Sequence, residues 1–403
     1  DFTNPVWHII TGGAGAPFYA QQETPWTDWV ESFYPCRHYC MIYVDGANIT
    51  LKVTNDSGEI VDDCVLTPFP HEIDANPGQT HLSWSTNDVY HTMTAMWFTQ
   101  SLAGNRVLYD TVSRGSSDDY AFVCDGARHR VGDFAGWYHE ARLAGLEPGT
   151  TYYFRVGGPR GYSREWSFRT IGLDQKVMFA VAGDSRRPWG DGYEIKVSPT
   201  CISNWPHARD WVTSCVTEED PDFVIFTGDM VGEGNDQVHW NNWFESMQDH
   251  LVTENGRMIP IVAVIGNHEM GGHPDVDSTY DWFKGVFANP GNELWYSLDF
   301  PGLHVTTLSA TGGCVGTWWK YAVPEAQSQR DWLEADLAGS DAEWKVVVWH
   351  VPYYSGFVTG TGDTEEVFLR DWSPIVERPK YGVDLVMNGH VHNYMRSWPL
   401  RTW

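Results

Sequence analysis

The chain has 403 residues, too many for one ordinary core, so two or more domains are expected. Its 42% apolar and 20% charged residues describe a globular protein, and a net charge of −27 argues against nucleic acid or anionic membrane as a partner, because either would repel it. No run of 18 apolar residues occurs, so no membrane span is expected.

In chain order, the first segment runs to about Thr67. Val6 to Ile10 reads as a strand entering Gly12-Gly13-Ala14-Gly15, a run that lacks the lysine and following helix of a phosphate-binding loop and so reads as a permissive turn. Cys40 to Val44, Asp45-Gly46 and Ile49 to Val53 read as a tight hairpin, with a further short strand over Glu59 to Val61. The sequons at Asn48 and Asn55, with seven cysteines and no zinc spacing among them, point to an oxidising, secreted setting. The odd count leaves at least one thiol free or paired outside the chain, and Asp1, with no signal peptide ahead of it, fits a processed or excerpted chain.

The second segment, 68–171, is all strand and turn. His81 to Ser85, Thr92 to Phe98, Thr151 to Val156 and Trp166 to Arg169 are separated by Gly, Asn, Asp and Ser clusters, which suggests a β-sandwich with a structural or positioning role.

The third segment, 172–403, alternates strands with helical patterns, which implies a layered α/β sandwich. Ala326 to Leu337 has the apolar spacing of a helix, and Leu294 to Phe300 with Leu303 to Leu308 reads as a strand pair. Five apolar runs each stop at a potential metal ligand. Val177 to Ala182 ends in Gly183-Asp184, Phe223 to Thr227 in Gly228-Asp229, and Ile261 to Ile265 in Gly266-Asn267-His268-Glu269. Val346 to Trp349 ends in His350, and Val383 to Met387 in Asn388-Gly389-His390-Val391-His392. Five strands are therefore expected to deliver their chemistry to one edge of a sheet, where open α/β folds build sites. His239 and His304 lack this context and are read as structural.

The residue types suggest the chemistry. Asp, Asn and His hold Zn, Mn or Fe ions, and a shared carboxylate bridges two of them. Two ions about 3.5 to 4 Å apart polarise a phosphoryl oxygen and generate hydroxide at neutral pH. His268, beside Asn267, is placed to protonate a departing alkoxide.

Gly183-Asp184, Gly228-Asp229, Gly266-Asn267-His268-Glu269, His350 and Gly389-His390-Val391-His392 resemble the ordered signature of the calcineurin-like metallophosphoesterases. Tyr138 to Leu143 through Leu146 to Tyr153 resembles the fibronectin type III-like domain that precedes the catalytic domain of purple acid phosphatases, and Gln329 to Leu337 with Trp344 to Pro352 is similar to that group. The resemblance implies an αββα metallophosphoesterase sandwich behind an all-β fibronectin type III-like domain. It implies a secreted binuclear phosphoesterase, expected to act on phosphomonoesters, that uses a metal-bridging hydroxide with His268 as leaving-group acid. Asp229 would bridge two divalent or trivalent ions, Asp184 and His392 serving one, and Asn267, His350 and His390 the other.

Two positions depart from the pattern. The tyrosine that purple acid phosphatases place three residues after the second aspartate is here Gly232, and the histidine that other members place two after the first is here Arg186. A purple ferric-tyrosinate centre is therefore not expected, the first metal position is short of a ligand, and Arg186 becomes a candidate phosphate contact.

The chain ends at Trp403, eleven residues past His392, whereas the family completes its sheet with later strands. Pro5 to Pro17 and the hairpin after it look like that missing part. Residues 1–67 would then fold back as a permuted piece, complete the next subunit, or belong to one unit of a tandem array; an unrelated cap is the remaining reading. Donation to a neighbour would build an extracellular filament or array head to tail, a structural role that rivals or accompanies the enzyme.

Overall fold

A computed structural model describes residues 32–45, 48–66, 77–100, 104–158, 161–186, 208–270, 280–309, 326–354 and 372–399, with 9–11, 19–20, 22 and 30. The chain divides into two compact units, Asp1–Asp74 and Ala75–Trp403. No described helix is long and apolar enough to cross a membrane.

The first unit is an antiparallel sheet of β1 (His38–Asp45), β2 (Asn48–Asn55) and β3 (Ile60–Leu66), in that order. The hairpin pairs Asp45 with Asn48, and β3 runs further than expected, pairing Leu66 with Ile49. Asn48 opens β2; Asn55 closes it, its Oδ1 accepting the N–H groups of Ser57 and Glu59 across the turn to β3. Most of the strand expected over Val6 to Ile10 and the whole Gly12 to Gly15 turn lie outside the described residues, and Ile9 and Ile10 are not in a strand. Cys201 and Cys314 also lie outside them.

The second unit opens with β4 (Gly78–Ser83), β5 (Thr92–Thr99), β6 (Arg106–Asp110), β7 (Phe122–Asp125), β8 (Ala127–His129), β9 (Trp137–Ala144), β10 (Thr151–Gly158), β11 (Gly161–Tyr162) and β12 (Trp166–Arg169). They form two antiparallel sheets, ordered β4-β5-β9-β8 and β11-β10-β6-β7, with β12 against β10. Then follow β13 (Phe179–Ala182), α1 (Ala208–Glu218), β14 (Phe223–Phe226), α2 (Gln237–His250), β15 (Ile261–Ala263), α3 (Asp281–Val286), β16 (Tyr296–Phe300), β17 (Leu303–Thr307), α4 (Ala326–Gly339), β18 (Trp344–Val348), α5 (Ser373–Val376) and β19 (Leu385–Met387).

The five ligand-bearing strands do not share one sheet as expected. β13-β14-β15 form one parallel sheet, and β18 and β19 belong to a second, β16-β17-β18-β19. The two pack against each other: Phe223 of β14 stacks on Phe300 of β16 at 4.2 Å, with Trp84 edge-on to both. Strands β14 and β18 are apolar on both faces because both are covered. Phe223, Ile225, Val346 and Val348 share a core with Trp84, Phe154 and Phe168 of the β-rich part, whereas Val224, Phe226 and Val347 join Trp240, Trp243 and Phe244 of α2 and Leu333 and Leu337 of α4. The β-rich and α/β parts thus share an apolar core.

A buried polar network also ties them. His304 on β17 is 2% exposed, and its ring meets Asp299 on β16 at 2.6 Å and Asp336 on α4 at 3.0 Å. Ser297 and Thr306 donate to Asp336, and Asn87, from the turn after β4, donates to Asp299. Burial opposes the imidazolium charge, but the two carboxylates prevail and raise the His304 pKa to about 9. The hydrogen bond from His304 holds Asp299 below its usual value.

A raised histidine pKa stabilises the fold fully below its unfolded value, about 6.5, and the contribution is lost as pH rises through about 9. The depressed Asp299 contributes above its ordinary value, and that part is lost on acidification. Asp336→Ala leaves a buried imidazolium short of one carboxylate and is expected to cost about 3 to 5 kcal/mol at neutral pH. Thermal unfolding should register this as a lower midpoint and a weaker loss of stability between pH 7 and 9 than in the parent chain.

Candidate metal centre

Asp184, Asp229, Asn267 and His390 each stand one residue beyond a glycine, while His350 and His392 lie in the loops just after β18 and β19, and the packing explains the glycines. A Cβ on Gly183 would overlap Thr227 Oγ1; one on Gly228 would lie 2.6 Å from His350 Nδ1; one on Gly266 would overlap the Asp229 amide; one on Gly389 would lie 2.7 Å from Thr227 Oγ1. The strand ends cross at distances only glycine tolerates, so the residues that follow are forced together. Asp184, Asp229 and His390 hold φ values of 51°, 53° and 67°, strained for non-glycine residues.

Two clusters result. Asp229, His350 and His390 bring ligand atoms within 4.8 Å of one another, as do Asp184, Asp229 and His392. Asp229, 1% exposed, belongs to both. Asn267 joins the first, its Oδ1 lying 3.1 Å from His350 Nε2 and 3.0 Å from His390 Nδ1. All six predicted ligands are therefore brought together. Oxygen and imidazole nitrogen donors converging around one common carboxylate fit a pair of Zn, Mn or Fe ions.

The surrounding bonds orient these groups. His350 donates Nδ1–H to the Thr227 carbonyl at 2.8 Å, which turns Nε2 toward Asp229 Oδ1 at 3.1 Å and ties the second sheet to the first. The His390 amide donates to both oxygens of Asp184 at 3.1 and 2.9 Å. Burial opposes charge on Asp229 and His350, but their attraction prevails: Asp229 is held below the usual carboxylate range, and the His350 pKa is raised to about 9. A cation taking the place of the Nε2 proton would preserve that attraction. Burial and the neighbouring His350 lower the His390 pKa to about 4, leaving its ring neutral.

Glu269 has a role that the sequence reading did not assign. Fully buried, it accepts the N–H groups of Asp229 and Gly266 on Oε2 and those of Met230 and Val231 on Oε1, at 2.7 to 3.1 Å. It thereby clamps the loop after β14 to the loop after β15. Burial and the Asp229 charge raise its pKa to about 7. Its signal in the sequence was its place in the Asn267-His268-Glu269 run; three of its four partners lie 38 to 40 residues upstream.

His268 sits in a short 3-10 turn, His268–Met270. Its Nδ1–H is held by the Gly232 carbonyl at 2.7 Å, and its Nε2 lies 3.8 Å from Asp229 Oδ2. Gly232 thus contributes its backbone where the purple acid phosphatase pattern has a tyrosine, and the His239 ring fills the space beside it, 3.2 Å from where a Cβ would be. Arg186 places Nε 3.7 Å from Asp229 Oδ2, and that nitrogen is buried without a hydrogen-bond partner among the described residues. The guanidinium therefore faces the shared carboxylate.

Comparison with known proteins accords with this geometry. Residues 177–394 match the model of the calcineurin-like phosphoesterase family, and residues 77–170 match that of the purple acid phosphatase N-terminal domain. Probable purple acid phosphatase 20 of Arabidopsis thaliana is 28% identical over 349 residues, covering 82% of this chain and 71% of its own length. Fe(3+)-Zn(2+) purple acid phosphatase 12 of the same plant is 24% identical over 377 residues, covering 88% of this chain and 70% of that protein. The solved purple acid phosphatase PPD1 from yellow lupin (Lupinus luteus) superposes with a TM-score of 0.59 at 17% identity, over 86% of this chain and 64% of that one, a likeness of fold. With more than half of its residues matched, the chain belongs to the calcineurin-like phosphoesterases, a family of metal-dependent phosphoester hydrolases.

Proposed function

We propose that this chain is a secreted binuclear phosphoesterase acting chiefly on phosphomonoesters. The observation that carries the reading is one buried carboxylate, Asp229, common to two ligand clusters, with the imidazole of His268 against its outer oxygen. Asp184, Asp229 and His392 would hold one ion, and Asp229, Asn267, His350 and His390 the other. Bound there, such ions polarise the phosphoryl group and supply a hydroxide nucleophile.

The chain's own groups do the rest. The His350 ring is held on the Thr227 carbonyl and the His390 ring on Asn267 Oδ1 before substrate arrives, so little reorganisation accompanies binding. Gly232 holds Nδ1–H of His268, so the proton the ring can give is the one on Nε2, the atom facing the site. Secretion is supported by the sequons and cysteine usage.

A specific observation favours a second, additional role in assembly. Tyr39, Met41, Ile42, Tyr43 and Val44 of β1 are all exposed, so apolar side chains face outward on both sides of that strand. Such a surface suits cover by another copy, as strand donation from residues 1–67 would provide.

Replacing the acid tests the first reading. His268→Gln is expected to lower kcat about 10²- to 10⁴-fold on alkyl phosphates and much less on p-nitrophenyl phosphate, whose leaving group needs little protonation. Equal losses on both would remove His268 from that role, and no hydrolysis of either by the metal-loaded parent chain would remove the phosphomonoesterase. The second reading predicts high-mass species in light scattering of the full chain that disappear in Ile42→Asp/Val44→Asp. A monodisperse monomer at all concentrations refutes it.

A further inference from the structure

Resting on the metal-pair reading above, we infer that the two metal positions are unequal and that Arg186 makes them so. The position of Asp229, Asn267, His350 and His390 is the tight one. The position of Asp184, Asp229 and His392 is weak and exchangeable, its positive charge shared with the Arg186 guanidinium.

The donors differ in number and in setting. The tight position has four protein groups, with His350 fully buried and two of the rings fixed on one asparagine oxygen. The weak position has three, and no fourth joins it among the described His, Cys, Asp and Glu side chains. One of the three, His392, leaves 58% of its side chain exposed and lies 3.4 Å from Asp184. Fixing so exposed a side chain on an ion costs conformational entropy that a buried ring has already lost.

The shared carboxylate is divided in the same sense. Asp229 Oδ1 accepts the His268 amide at 3.0 Å and faces His350 at 3.1 Å, toward the tight position. Asp229 Oδ2 faces Arg186 Nε at 3.7 Å. Any ion drawing on Oδ2 meets a fixed positive charge already there. Unlike lysine or histidine, arginine cannot relieve the repulsion by losing its proton. Gly232 adds no side chain that would offset this, since its contribution is the carbonyl that orients His268.

Arg186 Nε also has an unmet requirement: it is buried and makes no hydrogen bond among the described residues. A buried N–H of a guanidinium calls for an anionic acceptor, and a phosphoryl oxygen entering beside Asp229 supplies one. Arg186 therefore weakens the second ion and, in the same place, takes up part of the work that ion would do.

The test is metal binding, read without catalysis. The chelator-treated chain is titrated with Zn²⁺ and separately with Mn²⁺ by calorimetry, and its metal content is measured after gel filtration. The parent chain should keep one equivalent through the column and bind a second at least about tenfold more weakly. Arg186→Gln should tighten the second equivalent about tenfold or more and leave the first unchanged, while Arg186→Lys, which keeps the charge, should stay much closer to the parent. His390→Ala, checked for folding by circular dichroism, should lose the tight equivalent. Two equally tight equivalents in the parent chain overturn the inference, as does an Arg186→Gln titration identical to the parent's or loss of only the weak equivalent in His390→Ala. A chain that binds metal in the unequal way yet hydrolyses no phosphate ester would overturn the proposed activity and leave this inference standing.

Discussion

Five strand ends from two sheets can share one site only if their backbones meet closer than side chains allow. Gly183, Gly228, Gly266 and Gly389 satisfy that condition, each with a neighbour where its Cβ would be. Once the crossing is made, little freedom remains: Asp184 N bonds to Gly228 O, Gly389 N to His350 O, and His350 Nδ1 to Thr227 O. The ligands are thus fixed by main-chain bonds between loops more than by their own rotamers. The strained φ values of Asp184, Asp229 and His390, each costing on the order of 1 to 3 kcal/mol, persist because that lattice over-determines them.

Glu269 shows how much of the chemistry depends on a residue that belongs to neither ligand cluster. Four amides around one carboxylate bring the chain at Asp229 and the chain at Gly266 into one loop pair. Its elevated pKa, set by burial and the adjacent Asp229 charge, is the electrostatic consequence of placing two carboxyl groups side by side. The amide bonds repay part of that cost, and an incoming cation beside Asp229 would repay more.

Much of this was legible from residue order. The candidate ligands follow from five apolar runs, four ending in Gly-Asp, Gly-Asn-His or Gly-His and one directly in His350, because a buried strand must end at the rim and glycine marks where rims cross. The division of those strands between two sheets was not legible, since β14 and β18 are apolar on both faces and nothing in Phe223–Phe226 or Trp344–Val348 records which neighbour each will pair with. Strands β7 and β8 escaped notice for a different reason: Phe122–Asp125 and Ala127–His129 are short, largely exposed and carry no alternation. Arg186 was legible as a phosphate contact but not as a neighbour of Asp229, and the roles of Glu269 and the Gly232 carbonyl depend on three-dimensional neighbours that their letters alone do not record.

Two buried histidine–aspartate clusters in the same fold show what separates structure from chemistry. Around His304 each ring nitrogen meets one carboxylate, and Ser297, Thr306 and Asn87 donate to those carboxylates, so every polar group finds its partner within the protein. Around His350 the arrangement differs: one ring nitrogen donates to Thr227, while the other shares a space with Asp229, Asn267 and His390, acceptors and a neutral ring converging on one point. A closed network is complete without a ligand, and adding a cation to it would break bonds already made. An open one, with acceptors converging from four loops and an arginine N–H left over beside them, has its bonding completed only by ions and an anion from outside. The same residue types therefore hold the fold together in one place and prepare it for phosphate chemistry in the other, and the count of satisfied polar atoms tells the two apart.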